Sequence, residues 1–164
     1  MKQKDEILIL FDGQHLAYSP TVTQLYDALS EDYNITVFAE TSKNFISQKL
    51  PGYNVIYYMP VRKKPTFLYK SWFFLLALVN KEAKFLRVNK IKFPEYYYRF
   101  RLLKKIIQAR PYKRIIAVDI KNLFYCSLLN IKADFLSLEL GASEKLLPLI
   151  NTSLINCIII QTKE

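Results

Sequence analysis

The chain has 164 residues, 51% of them apolar, which is enough to bury a sizeable core and excludes a largely disordered protein. Its formal net charge of +10 is concentrated in one region. Sixteen basic and two acidic residues lie between Arg62 and Arg114, whereas the remainder carries eight basic and twelve acidic residues. This asymmetry predicts an anionic partner for the region, which is a membrane surface, a polyphosphate or a nucleic acid.

The two cysteines, Cys126 and Cys157, both lie in apolar runs. Free buried thiols are typical of such runs, and the pair indicates a reducing compartment rather than a disulfide framework. The N-terminal stretch has no secretory signal, because its apolar run ILILF is only five residues long before Asp12 interrupts it. We therefore expect a cytoplasmic protein.

The first third of the chain alternates strand and helix patterns. The run ILILF is continuous and β-prone, as in a strand buried on both faces of a parallel sheet. Ser19 and Pro20 supply a helix cap and a proline suited to the first helical turn. The predicted elements are a strand at 7–11, a helix at 20–31, and strands at 35–39 and 53–58.

A basic and aromatic segment follows at about 60–113, and it predicts helices at 67–88 and 95–108. The unbroken apolar stretch from Trp72 to Val79 has eight residues. A helix that spans a bilayer needs about 20 apolar residues, so we expect no membrane span. The flanking Lys70 and Lys81 suit a helix that lies in the membrane interface instead.

The last third predicts a strand at 114–118, a helix at 121–130, a strand at 133–138, a helix at 143–154 and a strand at 157–160. Strands that alternate with helices imply right-handed crossovers and a parallel sheet with helices on both faces. We expect one Rossmann-like, doubly wound α/β domain over 1–164, with strand order 3-2-1-4-5-6 and a helical insertion at about 60–113.

Ligands of doubly wound sheets gather at the carboxyl ends of the strands. After the first strand, Asp12 and Gly13 are candidates for phosphate binding, because a glycine there lets the backbone approach closely. The alternative for Gly13 is a tight turn. His15, the single histidine, is a candidate general base or ligand for a hydroxyl or phosphate group; the alternative is a solvated loop residue.

Two further carboxylates are candidate catalytic groups. Asp119 follows the fourth strand as a hydrogen-bond acceptor at the sheet's edge, or else as the N-cap of the next helix. Glu139 follows the fifth strand and suits a base or a ligand for sugar hydroxyls, or else an ion pair with a lysine such as Lys121. One histidine and two cysteines cannot build a transition-metal cluster, so no metal is expected. The glycine signatures of NAD-binding and P-loop domains are absent.

The basic and aromatic segment suits an anionic membrane, where aromatic rings sit at headgroup level and cations meet anionic lipids. It also suits single-stranded nucleic acid, which is disfavoured because no recognised nucleic-acid fold pattern accompanies it. The remaining alternative is a helix pair whose apolar residues cover the sheet. The candidate membrane or anion contacts are Arg62, Lys63, Lys64, Lys70, Trp72, Arg99, Arg101, Lys104 and Lys105.

The opening ILILFDGQHLAYSPTVTQLYDALSEDYNITVFAE resembles the start of GT-B glycosyltransferases of the family-four type, with a strand, a glycine-containing loop, a helix and a strand. The stretches RIIAVDIKNLFYCSLLNIKADFLSLELG and LINCIIIQTKE are also similar to that family. The resemblance implies transfer of a sugar from a nucleotide-sugar donor to a sugar or lipid-linked acceptor that this domain binds.

The same resemblance assigns roles to particular positions. Gly13 matches the loop that approaches the donor phosphates, and Glu139 stands where many members carry a histidine, so the expected base is missing. The basic helices match the place where lipid-directed members dock on the membrane. The family's second domain carries two glutamates separated by seven residues, and this chain has no such pair in a glycine-rich setting. We expect a domain that does not catalyse alone and that lacks the C-terminal GT-B domain; the alternative is a non-enzymatic peripheral module that binds anionic lipid.

Overall fold

A computed structural model describes residues 4–12, 16–41, 50–59, 67–89, 95–138 and 144–160. The chain divides into two compact units. The first combines Met1–Met59 with Pro111–Glu164, and we call it the sheet unit. The second is Pro60–Arg110, and we call it the helical unit. The predicted insertion at 60–113 extends three residues further than the helical unit.

The sheet unit is built on six parallel strands in the order β3-β2-β1-β4-β5-β6. This confirms the predicted doubly wound α/β class and its strand order. The chain returns to the opposite side of β1 after β3, so the order reverses between β1 and β4. The strands are β1 (Glu6–Phe11), β2 (Asn34–Glu40), β3 (Val55–Tyr58), β4 (Arg114–Val118), β5 (Ala133–Ser137) and β6 (Ile155–Ile160).

The central strand β1 is apolar from Ile7 to Phe11, where every residue is buried. Residues 7–11 of β1 are all buried, and Ile9 pairs with Val37 of β2 on one side and with Ile116 of β4 on the other. A central parallel strand requires such a continuous apolar run, since neither face meets water. The core of the sheet unit therefore centres on β1 and its two neighbours.

The described residues of the sheet unit include two α-helices, α1 (Pro20–Ser30) and α5 (Asp119–Leu128). Pro20 begins α1 as predicted, although the Ser19 side chain makes no capping hydrogen bond. The predicted helix at 143–154 is wrong. Two short 3-10 segments, Glu144–Leu149 and Thr152–Leu154, occupy its place, and Pro148 lies inside the first of them. Proline has no backbone N–H to donate, which disfavours a continuous α-helix there.

The helical unit contains α2 (Phe67–Val79), α3 (Lys81–Val88) and α4 (Glu95–Ala109). The sequence predicts a single helix over 67–88, and the structure divides it at Asn80. The Asn80 side-chain oxygen accepts a 2.9 Å hydrogen bond from the Ala83 amide, which caps the start of α3. Among the described residues, no helix has the length and apolar character that crossing a membrane requires.

The two cysteines lie in different surroundings, which corrects the expectation that both are buried. Cys126 is a buried free thiol on α5, whereas Cys157 is an exposed free thiol on β6. The difference follows from strand position, because among the described strands β6 has a neighbour on one side only. An apolar run at an edge strand is not enclosed in the way a central one is.

Candidate functional site

Polar side chains lie at the carboxyl ends of three adjacent strands of the sheet. Asp12 comes directly after β1, Glu40 is the last residue of β2 and Tyr58 is the last residue of β3. Because the strands are parallel, their carboxyl ends meet at one edge, and the topology reverses there between β1 and β4. This is the position at which doubly wound sheets bind ligands.

These side chains form a continuous series of contacts. The Tyr58 hydroxyl lies 3.1 Å from Glu40 Oε2 and 3.3 Å from Asp12 Oδ1. Asp12 Oδ2 in turn lies 2.8 Å from the ammonium group of Lys121, in the first turn of α5. We call Glu40, Tyr58, Asp12 and Lys121 the polar edge. It links residues from the ends of β2, β3 and β1 to the helix that follows β4.

Burial varies along the polar edge. Glu40 and Tyr58 are buried, whereas the side chains of Asp12 and Lys121 retain 23% and 16% of their exposure. The phenolic hydroxyl has one hydrogen, so it donates to one of its two carboxylate neighbours at a time. Asp12 and Lys121 are therefore the members of the series that are open to solvent, and Tyr58 connects them to a buried carboxylate.

Asp119 adopts a backbone conformation that few residues accept. Its φ is +66°, in the left-handed region, where aspartate and asparagine are more frequent than other non-glycine residues. It joins the end of β4 directly to α5. Strained conformations of this kind concentrate at functional sites, where surrounding contacts hold them in place.

The Asp119 side chain bridges two strand ends. Its Oδ1 accepts a 3.1 Å hydrogen bond from the Leu138 amide, immediately beyond β5. Val118 precedes α5 as its N-cap residue, so Asp119 does not occupy the N-cap position that the sequence left open. The buried Asn122 donates to the Val118 carbonyl at 2.6 Å, within the same turn. The carboxylate is thus fixed at the junction of β4, α5 and β5.

The same sheet carries a second aspartate–lysine pair at its opposite, amino edge. Asp5 precedes β1 and forms an ion pair with Lys113, which precedes β4. Their side chains are 50% and 60% exposed. The hydrogen bond with Asp5 raises the pKa of Lys113 above its usual value. This pair has the same two residue types as Asp12 and Lys121, but each of its side chains is more than twice as exposed.

One further titratable contact lies away from the polar edge. The Tyr53 hydroxyl donates to Asp27 of α1 at 2.6 Å. This hydrogen bond, followed by burial and the negative charge of Asp27, raises the pKa of Tyr53 to about 12. The phenol therefore stays protonated in a pH range where an ordinary tyrosine ionises.

The structure describes some of the site residues that the sequence predicts. Asp12 and Asp119 lie at the carboxyl edge as expected, whereas Gly13, His15 and Glu139 lie outside the described residues. Lys121, which the sequence offered as an ion-pair partner for Glu139, forms an ion pair with Asp12. Sequence analysis missed Glu40 and Tyr58, although each ends a predicted or nearly predicted strand. Inspecting the final residue of every strand, and not only the loops, would have found both.

The candidate anion contacts of the helical unit divide by exposure. Arg101 and Lys105 are exposed on α4, and Trp72 is 53% exposed on α2. Arg99 is 2% exposed, which removes it from the surface contacts that the sequence predicts. Lys104 lies 3.5 Å from Glu82 and 5.9 Å from the centre of the Phe100 ring. Arg62, Lys63, Lys64 and the side chain of Lys70 lie outside the described residues.

The described residues contain no group of three or more histidine, cysteine, aspartate or glutamate side chains suited to hold a metal ion. Comparison with protein-family models and with curated proteins gives no match for this chain.

Proposed function

We propose that the sheet unit binds a hydroxyl-rich acceptor at its carboxyl edge and acts as the acceptor-side domain of a GT-B-type glycosyltransferase. The observation that supports this best is the series of contacts Glu40–Tyr58–Asp12–Lys121, at the point where the strand order reverses. Carboxylates accept hydrogen bonds from sugar hydroxyls, and a lysine ammonium donates to hydroxyl or phosphate oxygens.

The proposed reaction is transfer of a sugar from a nucleotide-sugar. The acceptor hydroxyl oxygen bonds to the anomeric carbon, the bond from that carbon to the phosphate oxygen breaks, and a nucleoside diphosphate leaves. A general base takes the hydroxyl proton, and we assign that role to Asp119 because its position is fixed between two strand ends. His15, Glu139 and Gly13 remain proposed members of the same site, with Asp12 and Gly13 nearest the donor phosphates.

In the proposed enzyme the donor-side wall of the cleft comes from a second domain, so binding by residues 1–164 and catalysis are tested separately. We place the reaction in the cytoplasm, since both cysteines are free thiols. No cofactor beyond the nucleotide-sugar donor is part of the proposal.

Ligand binding is tested by saturation-transfer NMR on the chain with a panel of methyl hexopyranosides and nucleotide-sugars. We expect saturation transfer to at least one glycoside, lost in Asp12→Asn and retained in Asp5→Asn. The two variants make the same change at opposite ends of β1, so the second controls for charge and stability. Transfer to none of the panel, or equal transfer in both variants, contradicts the proposal.

Catalysis is tested in the complete gene product by incorporation of labelled sugar into extracted acceptors. We expect Asp119→Asn to lower kcat by about a hundredfold or more, as removal of a general base does, with little change in KM. Asn keeps a side-chain oxygen for the Leu138 amide, so the fold is preserved. Unchanged kcat in this variant removes Asp119 as the base.

A further inference from the structure

Helix α2 exposes an unusual amount of apolar surface. Five large apolar side chains on this helix are between 47% and 84% exposed: Trp72, Phe74, Leu75, Leu78 and Val79. Single exposed apolar residues are ordinary, whereas a cluster of this size marks an interaction site. All five side chains belong to the helical unit.

The exposed residues share one face of the helix. Successive residues of an α-helix are about 100° apart, so these five lie on a continuous arc of about 160°. Ala77, on the other side, is buried, and Leu76 is half-buried. We call the five exposed residues the apolar arc. It is distinct from the side of α2 that carries the buried Ala77.

Exposed cations accompany the apolar arc. Helix α2 has no acidic residue, and the helical unit as a whole has fourteen basic residues against two acidic ones. Lys81 and Lys84 are exposed in the first turn of α3, directly after α2. On α4, Tyr98, Arg101 and Lys105 share an exposed face at spacings of three and seven residues.

We propose that the apolar arc of α2 inserts into the surface of an anionic lipid bilayer, with the exposed cations of α3 and α4 on the lipid headgroups. An apolar helix face bordered by lysine and arginine is typical of helices that lie in the membrane interface. With thirteen residues, α2 is about 20 Å long, which suits lying in the interface rather than spanning it. The excess of positive charge selects an anionic membrane over an electrically neutral protein surface.

The unmodified protein contains its own probe, because Trp72 is the single tryptophan and lies in the apolar arc. We expect its fluorescence to shift to shorter wavelength with phosphatidylcholine–phosphatidylglycerol vesicles and to be quenched by brominated acyl chains. Vesicles of phosphatidylcholine alone should produce a much smaller response. An emission spectrum that anionic vesicles leave unchanged overturns the proposal, whatever the variants show.

The apolar contribution is tested with two matched substitutions. Leu78→Asp places a charge in the arc, and Leu147→Asp makes the same change at an exposed leucine of the sheet unit. Both sites are on the surface, so both variants should keep the circular dichroism of the wild type. We expect Leu78→Asp to lower vesicle partitioning by about tenfold or more and Leu147→Asp to leave it unchanged. Equal partitioning of the two variants overturns insertion of the arc.

The charge contribution is tested with the double variant Arg101→Glu, Lys105→Glu and the control Lys132→Glu. Each basic residue near an anionic surface contributes about 1 kcal/mol, so loss of two corresponds to roughly a thirtyfold fall in partitioning. We expect that fall for the double variant in low salt and no fall for the exposed Lys132 of the sheet unit. Partitioning of the double variant equal to wild type contradicts the headgroup contacts.

Two other occupants of the arc give different results. If a second copy covers it, Trp72 emits at short wavelength without lipid and sedimentation shows a dimer that Leu78→Asp dissociates. If the ligand is single-stranded nucleic acid, oligothymidylate quenches Trp72 while anionic vesicles do not. Either pattern overturns the lipid proposal and leaves sugar binding at the polar edge unaffected.

Discussion

The sheet unit carries the same ion pair at both ends of its two central strands, in different surroundings. At the amino edge, Asp5 and Lys113 are at least half exposed, whereas at the carboxyl edge Asp12 and Lys121 are less than a quarter exposed. Exposed pairs contribute little because water competes for both charges. The carboxyl-edge pair also contacts Tyr58, which links it to a buried glutamate. The same kind of ion pair is thus exposed to solvent at the amino edge and partly buried within a hydrogen-bonded series at the carboxyl edge.

Substituting each lysine by methionine tests this contrast most strongly. Lys121→Met leaves Asp12 without its cation in a partly buried position, and we expect the free energy of unfolding in urea to fall by roughly 2–3 kcal/mol. Lys113→Met removes an exposed partner and should produce a much smaller change that disappears at high salt. Equal losses in the two variants would show that the edges do not differ energetically.

The second prediction concerns the strained junction at Asp119 of the carboxyl edge. Asp119→Ala places a residue with low tolerance for a φ of +66° there and removes the acceptor of the Leu138 amide. We expect a loss of about 2 kcal/mol in unfolding free energy. Asp119→Asn keeps both properties and should stay close to the wild type. If Ala and Asn behave alike in urea unfolding, the junction is not strained.

A smaller effect is expected from removing the link in the polar edge. Tyr58→Phe deletes the hydroxyl between Glu40 and Asp12 but keeps the ring that stacks on Phe38 at 4.8 Å. The loss should be about 1.5 kcal/mol, the low end for a hydrogen bond to a charged group. Tyr53→Phe is the matched control outside the edge, and near neutral pH it should cost less. If Tyr58→Phe is as stable as the wild type, the hydroxyl contacts with Glu40 and Asp12 do not contribute to stability.

The smallest effect is a pH dependence away from both edges. The pKa of Tyr53 is raised to about 12, against about 10 in the unfolded chain, so its contribution to stability is complete below pH 10. It is lost as the pH rises from about 10 to about 12, because the unfolded state ionises first. Urea unfolding at several alkaline pH values should show a steeper loss in wild type than in Tyr53→Phe. Parallel curves would contradict the hydrogen bond with Asp27.

The site was partly predictable, and the missed residues have a common cause. Asp12 and Asp119 each end an apolar run, and this local pattern marks them as candidate site residues. Glu40 and Tyr58 end strands without such an interruption, and Tyr58 follows another tyrosine. Their partnership joins residues 18 positions apart, and the link to Asp12 spans 46. Contacts of that separation depend on strand register, which local patterns do not encode.

By itself, the sequence determined the class of the fold, the number and order of the strands and the concentration of positive charge in the middle of the chain. Continuous apolar runs that alternate with helical spacing are local signals, and they identify the strands and helices. The right-handedness of the crossovers then restricts the order of the strands in the sheet. Tertiary structure alone decided that Cys157 is exposed, that Arg99 is buried and that α2 presents its apolar arc outward. The exposure of a side chain depends on what packs beside it, so residues in similar apolar or basic sequence patterns can be buried in one place and exposed in another. The two aspartate–lysine pairs at the ends of β1 and β4 show the same physical rule.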